Sequence, residues 1–390
     1  MNETTLDVPD SMLEVLRSEL PSIAASAASA VIDEVPAYSE MRGPEGVTLD
    51  RQVELALRGF LMLASGSRAG DAATPIQPVL DAAFALGRGE FRSGRTMDVL
   101  LSAYRIGARA SWRELSRVAR DADVSIDLLS SFAERIFAYI DELSAASVAG
   151  YTFELEASER SRARRHEELA RRILAGGPVE ALQADAERAK WDPPETLSAV
   201  LMAASSAQGV RGKIDARSLL LPGELPGLEG VDSVLLLVPV TGSGDRDKLK
   251  EVLADREAVI GPIRPWHEAA LSYSRALKVH RLYEWNESFL DANDHLVDLV
   301  VSADSEALDD LRESVLAPLE PLRESTREKL IQTLRAWLLH QGRREDIARA
   351  LHVHPQTVRY RMGQIRDLFG EQLDDPAVIL AATVALALDQ

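Results

Sequence analysis

The spacing of apolar residues changes character twice along this chain of 390 residues, and that change limits the fold more than any other feature. Up to about residue 155 the apolar positions recur every three or four residues. Val53, Leu57, Phe60 and Leu61 show it, as do Leu100, Leu101, Tyr104 and Ile106, which is the period of an amphipathic helix. No alternating strand pattern interrupts it. Pro21, Gly43-Pro44, Gly87, Gly89 and Gly94 read as punctuation between helices. Over 126–174 a long helix is expected, carrying Leu128, Phe132, Ile136, Ile140 and Leu143 before it becomes highly charged over 156–172. Such a change fits a helix passing from one domain to the next, or one that pairs in a dimer.

Between about 165 and 290 short apolar runs alternate with helical segments. Ser198-Ala199-Val200-Leu201-Met202, the Val- and Leu-rich run over 234–240 and Ala258-Val259-Ile260-Gly261 read as strands, with helices over 179–190, 245–254 and 266–283. From about 305 the helical period returns. Leu330, Leu334, Trp337 and Leu338 share a face, two short helices follow, and an apolar helix closes the chain over 376–388. The expected architecture is therefore multidomain, α and α/β. It comprises an N-terminal helical bundle over 1–160 for sensing or dimerisation, a central α/β domain over 161–300 and an all-α domain over 301–390.

The chain has no cysteine, which excludes a disulfide framework, a thiol nucleophile and a cysteine-based zinc site. Its first residues are polar and acidic, unlike a signal peptide. The longest largely apolar stretch, 377–388, falls short of the roughly 18–20 residues needed to span a bilayer. A cytoplasmic protein with no membrane partner is expected. The net charge of −18 opposes indiscriminate wrapping of nucleic acid. Yet Arg335, Arg343, Arg344, Arg349, Arg359, Arg361 and Arg366 fall in one segment against only Glu345 and Asp346. Charge alone does not separate a binding surface from a solvated helix face.

Pattern favours a binding surface, although an ordinary helical hairpin with an arginine-rich face remains an alternative. Within 345–362, Ala348 is small enough for a second helix to cross the first, and Leu351 and Val353 flank a turn. Val358, Met362, Ile365 and Phe369 form an apolar stripe at helical spacing. Pro355 suits a first helical position, which places His354 just before the helix. With the stripe inward, Gln356 and Tyr360 point directly away from it. Thr357 and Arg361 lie on one flank, Arg359 and Arg366 on the other. Such an outward surface is what a helix-turn-helix reading base edges in double-stranded DNA is expected to present, with Arg343 and Arg344 suited to phosphate contacts. His352 stands where such turns often have glycine.

The run Val353-His354-Pro355-Gln356-Thr357-Val358-Arg359-Tyr360-Arg361-Met362 resembles the C-terminal helix-turn-helix of PucR/CdaR-type bacterial transcription regulators. Leu330-Ile331-Gln332-Thr333-Leu334 before it and Phe369-Gly370, Leu373 and Asp375-Pro376 after it are similar to the flanks of that motif. Ile260-Gly261-Pro262 and Ser272-Tyr273-Ser274-Arg275-Ala276 resemble the degenerate GGDEF-like domain of the family. Leu101-Ser102-Ala103-Tyr104-Arg105-Ile106-Gly107, with Trp112, is similar to the helical N-terminal domain of many members. The resemblance implies a sequence-specific DNA-binding regulator, answering to a small-molecule effector or protein partner and working as a homodimer or higher homo-oligomer. It implies no cofactor and no enzymatic activity.

Other constellations are weaker. The acidic signature of an active GGDEF domain is missing, so the alternative, a nucleotide-binding or nucleotide-cyclising enzyme acting through the central domain, is disfavoured. Gly209-Val210-Arg211-Gly212-Lys213-Ile214 lacks the spacing and the Ser/Thr of a phosphate loop, and Gly242-Ser243-Gly244 lacks a third glycine. His352 and His354 have no companions at metal-ligand spacing. His166, His267, His280, His295 and His340 are scattered, with no catalytic triad. Tyr104, Arg105, Trp112, Tyr139 and Tyr151 could line a small pocket among the N-terminal helices, though ordinary core packing is the better explanation of them. Those helices could also form a protein-interaction module similar to stress-signalling scaffolds, a role compatible with DNA binding.

Overall fold

A computed structural model describes residues 10–41, 46–64, 76–122, 124–284 and 289–388. The chain divides into two compact units, Met1–Ala163 and Arg164–Gln390.

The described residues of the first unit hold helices and no strand: α1 (Asp10–Glu34), α2 (Gly46–Ala64), α3 (Gln77–Arg92), α4 (Met97–Asp121) and α5 (Ile126–Ala175), within which the division between units falls. In α1, Leu13, Leu16, Leu20, Ile23, Ala24 and Ala27 are buried on one stripe, packed against α2 and α4. Pro21 sits inside α1 instead of ending it. An interior proline costs about 3 kcal/mol, and the buried Leu20 and Ile23 on either side offset that cost. Gly87 and Gly89 likewise lie inside α3, whereas Gly94, at φ 74°, does follow the helix end. Gly43-Pro44 lies outside the described residues.

Gly87 has a packing reason. A Cβ there would run into the main chain of Ser147 on α5, and one on Gly150 would run into the main chain of Phe84 on α3. The two helices cross backbone to backbone at these glycines. Gly87→Ala is expected to lower stability by about 1–3 kcal/mol, because main chain cannot rotate aside as a side chain can. A urea titration with an unchanged midpoint would contradict this contact.

The second unit adds α6 (Val179–Ala189), β1 (Thr196–Ala203), β2 (Leu219–Pro222), β3 (Ser233–Pro239), α7 (Ser243–Leu253), β4 (Ala258–Ile260), β5 (Arg264–Pro265), α8 (Ala269–Tyr283) and β6 (Phe289–Asp291). Then come α9 (Leu296–Val301), α10 (Ser305–Leu316), α11 (Glu324–Leu339), α12 (Arg344–Ala350), α13 (Pro355–Phe369) and α14 (Pro376–Ala385). The sheet runs β2-β3-β1-β4-β6, with β5 pairing the start of β1. Among the described residues only β4 and β6 pair in parallel; Val200 of β1 faces Leu236 of β3 and Ile260 of β4 across antiparallel ladders. Both faces are covered. Leu197, Ala199 and Leu201 pack with α6, α8 and the end of α5, while Val200 and Met202 pack with Leu249 and Leu253 of α7. A strand buried on both faces reads as an unbroken apolar run.

The two central fragments that carry the family resemblance meet in space. Ser272 Oγ of α8 accepts from the Ala199 amide at 2.9 Å and donates to the Pro262 carbonyl at 2.6 Å. The Gly261 amide donates to the Ala199 carbonyl at 2.8 Å, and Gly261 leaves no room for a Cβ against Ser272. On the other face Asp291, at the end of β6, is held by Arg246 Nη2 and Lys250 Nζ of α7, both at 2.6 Å. Among the described residues no helix is long and apolar enough to cross a membrane.

Candidate nucleic-acid interface

The C-terminal helices pack around one apolar cluster. Leu330 and Leu334 of α11, Ile347 and Ala348 of α12, and Val358, Met362, Ile365 and Phe369 of α13 meet there with Leu373. The stripe expected on α13 is buried throughout, so it fixes which edge of that helix faces outward.

The turn before α13 is closed at both ends by specific hydrogen bonds. α12 stops in a Schellman motif: the Val353 amide donates to the Ala348 carbonyl at 3.0 Å and the His352 amide to the Arg349 carbonyl at 3.3 Å. His352 occupies the left-handed position, with φ 53°. The expected glycine is absent because histidine is held there by the motif, at a conformational cost. His352→Gly is accordingly expected to leave the fold intact and to raise stability by up to about 1 kcal/mol, the left-handed strain outweighing glycine's entropy cost. A lowered thermal midpoint would show that the His352 side chain itself stabilises the turn. His354 caps α13, its Nδ1 accepting from the Gln356 amide at 3.2 Å, and Pro355 takes the first position.

The candidate residues fall into three groups. Gln356, Arg359, Tyr360 and Arg366 are exposed on α13, as is the capping residue His354. Tyr360 is 66% exposed and accepts a hydrogen bond from Gln364 Nε2 at 3.3 Å, which steadies the ring without covering it. Arg343 and Arg344 are exposed at the start of α12. Among the described residues, the guanidiniums of Arg343, Arg344, Arg359 and Arg366 have no ion pair or hydrogen bond within the chain. Thr357 and Arg361 are half-buried on the flank facing α11, where Arg361 Nη1 reaches Thr333 Oγ1 at 3.4 Å.

Two arginines of the basic segment are engaged elsewhere. Arg335 donates through Nε to the Leu386 carbonyl at 2.8 Å and through Nη2 to the Ala387 carbonyl at 3.2 Å, satisfying carbonyls at the end of α14. Arg349 pairs with Asp346 at 3.1 Å. Sequence counted both as positive charge. Helix-end carbonyls from fifty residues away left no signal in the pattern, whereas the spacing of Asp346 and Arg349 could have revealed their pairing.

Comparison with known proteins bears on both ends of the chain. Residues 330–388 match the PucR C-terminal helix-turn-helix domain, and residues 21–166 match the RsbT co-antagonist protein RsbRD N-terminal domain. Uncharacterized proteins of Mycobacterium tuberculosis and Mycobacterium bovis are each 25% identical over 404 residues, covering 98% of this chain and 93% of the relative. An uncharacterized protein from the pkwA 5′ region of Thermomonospora curvata is 40% identical over 70 residues, 17% of this chain and 39% of its own. A crystal structure of a regulator of polyketide synthase expression from Bifidobacterium adolescentis aligns with 58% of this chain and 97% of its own, at 18% identity and a TM-score of 0.29. The chain thus carries a segment like the PucR C-terminal helix-turn-helix domain near one end and a segment like the RsbRD N-terminal domain towards the other.

Proposed function

We propose that the chain is a sequence-specific DNA-binding transcription regulator whose helix α13 lies in the major groove. One observation carries the reading. The buried stripe of Val358, Met362, Ile365 and Phe369 leaves the opposite edge of α13 exposed, with Gln356, Tyr360 and the unpaired Arg359 at its start. Arg343, Arg344 and Arg366 are assigned to phosphates, His354 to the cap of α13 beside the groove, and Thr357 and Arg361 to its flank, where Arg361 donates a hydrogen bond to Thr333 Oγ1. A single helix reads few base pairs, so useful specificity calls for at least a homodimer on two half-sites.

In this proposal residues 1–160 sense or dimerise, 161–300 form a non-catalytic GGDEF-like coupling domain and 301–390 bind DNA. The site of action is the cytoplasm. The RsbRD-type domain also favours a second role for the N-terminal helices as a docking module for a protein partner. Genomic DNA capture by the intact protein tests the main reading. Discrete enriched sites are expected, and their loss in the Arg359→Ala protein at unchanged fold. Capture of no site, or the same sites by a chain lacking 323–390, would overturn it.

A further inference from the structure

The first unit holds a partly open cavity of about 160 Å³ between α1, α2, α3, α4 and α5. Its walls are mostly apolar, with Phe60, Leu100, Ile136 and Leu143 among them. Tyr38, Tyr104 and Tyr139 also line it, together with Glu90, Ser111 and, at a solvent-exposed rim, Gln52 and Leu55. Tyr104 and Tyr139 belong to the aromatic group seen in the sequence. Arg105, Trp112 and Tyr151 of that group do not line the cavity. Arg105 is exposed, and Tyr151 packs edge-on against Phe91.

Size and polarity constrain the guest. A dry apolar cavity of about 150 Å³ accepts a benzene-sized molecule. Among the described wall residues Glu90 is the one carboxylate; it is only 3% exposed, and Arg95 neutralises it through Nε at 2.6 Å and Nη2 at 3.1 Å. A charged guest would lose its hydration and meet no free counter-charge. Burial pushes the Tyr104 and Tyr139 phenols up from their ordinary value, so both stay neutral. The aromatic rings of Phe60, Tyr104 and Tyr139 offer edges and faces to another ring.

The phenol protons are already committed. Tyr38 donates to Glu90 Oε2 at 2.8 Å and Tyr139 to the Ala56 carbonyl at 2.9 Å. Ser147 spends its single proton on the Ala83 carbonyl at 2.7 Å, so in the 2.7 Å contact between Tyr104 and Ser147 the tyrosine is the donor. All three phenol oxygens therefore keep only acceptor capacity, and a hydrogen bond between one of them and a guest has to use a guest O–H or N–H.

We propose that this cavity is an effector site for a small uncharged single-ring aromatic molecule bearing one hydrogen-bond donor, as a phenol does. The inference deepens the effector-responsive reading above. Its test is run without DNA, so its failure leaves DNA recognition standing. Phenol is titrated into the full chain by calorimetry, with benzene and benzoate as controls. Phenol is expected to saturate at or below roughly 1 mM. Benzene should bind about five- to tenfold more weakly for want of the donor, and benzoate at least about a hundredfold more weakly. Tyr104→Phe, which keeps the ring, should reduce the preference of phenol over benzene. Ala108→Leu, which fills the cavity from α4, should weaken phenol binding at least tenfold. No phenol binding by the parent protein below about 10 mM would overturn the proposal, whatever the variants do. So would benzoate binding as tightly as phenol, or, in a folded Ala108→Leu protein, unchanged phenol binding.

Discussion

Arg246→Met is expected to cost about 3 kcal/mol of stability at neutral pH, among the largest losses any single substitution outside the apolar cores should produce. Asp291 closes β6 with its side chain 2% exposed, and Arg246 of α7 is nearly as enclosed. Arg246 gives Nη2 to Asp291 and Nη1 to the Gly261 carbonyl at 2.9 Å and to Ser198 Oγ at 3.2 Å. It therefore ties α7 to β1, β4 and β6 at once. Burial works to raise the Asp291 carboxyl. Hydrogen bonds from Lys250, Arg246 and the Asn293 amide, with the charge of Arg246, outweigh it and hold the group below its ordinary value. A depressed carboxylate contributes stability that is present above its unfolded pKa and lost as pH falls through the folded one.

In the Met variant burial gains on the remaining partners, and the carboxyl takes up its proton at higher pH. The gap between parent and variant should then narrow from pH 7 towards pH 3. Urea unfolding at both pH values measures it. A loss under 1 kcal/mol at pH 7 would mean that Lys250 alone satisfies Asp291.

How legible all this was in sequence differs by element. The long helix α5 was readable from its period and length, and β1, β3 and β4 from apolar runs flanked by proline or glycine. β2, Leu219-Leu220-Leu221-Pro222, was not picked out, since four leucine-rich residues suit a helix as well as a strand. β6 has only three residues and owes its place to pairing with β4. Pro21 and Gly87 misled for opposite reasons. Tertiary burial carried α1 through its proline, and a close helix crossing required glycine within α3.

The exposed edge of α13 was readable for a related reason. The stripe from Val358 to Phe369 is local, and an apolar stripe determines the opposite face without any knowledge of the rest of the fold. What stayed hidden was long-range. Thr333 drawing on Arg361, the α14 carbonyls drawing on Arg335, and a cavity walled by five helices depend on packing that no window of sequence contains.

The outer face of α13 and the start of α12 should respond differently to substitution, and this is the expected result with the largest functional effect. Arg359→Ala removes an unpaired cation at the outer edge of the helix, and a lost charge-assisted contact of about 1.5–3 kcal/mol corresponds to roughly ten- to hundredfold weaker operator binding. Arg343→Ala and Arg344→Ala take charge from the start of α12 without touching the outer face of α13. Each should weaken binding to all sequences alike and reduce the slope of log affinity against log salt by about one. Gln356→Ala carries no charge change. If its amide reads a base, about 1–3 kcal/mol of discrimination at one operator position is lost while the salt slope holds. Arg361→Ala should fall between, because Thr333 already takes part of its hydrogen bonding. Binding to a randomised operator library at two salt concentrations separates these cases. A Gln356→Ala protein with unaltered base preference, beside an Arg343→Ala protein with an unaltered salt slope, would mean that neither helix meets DNA in this orientation.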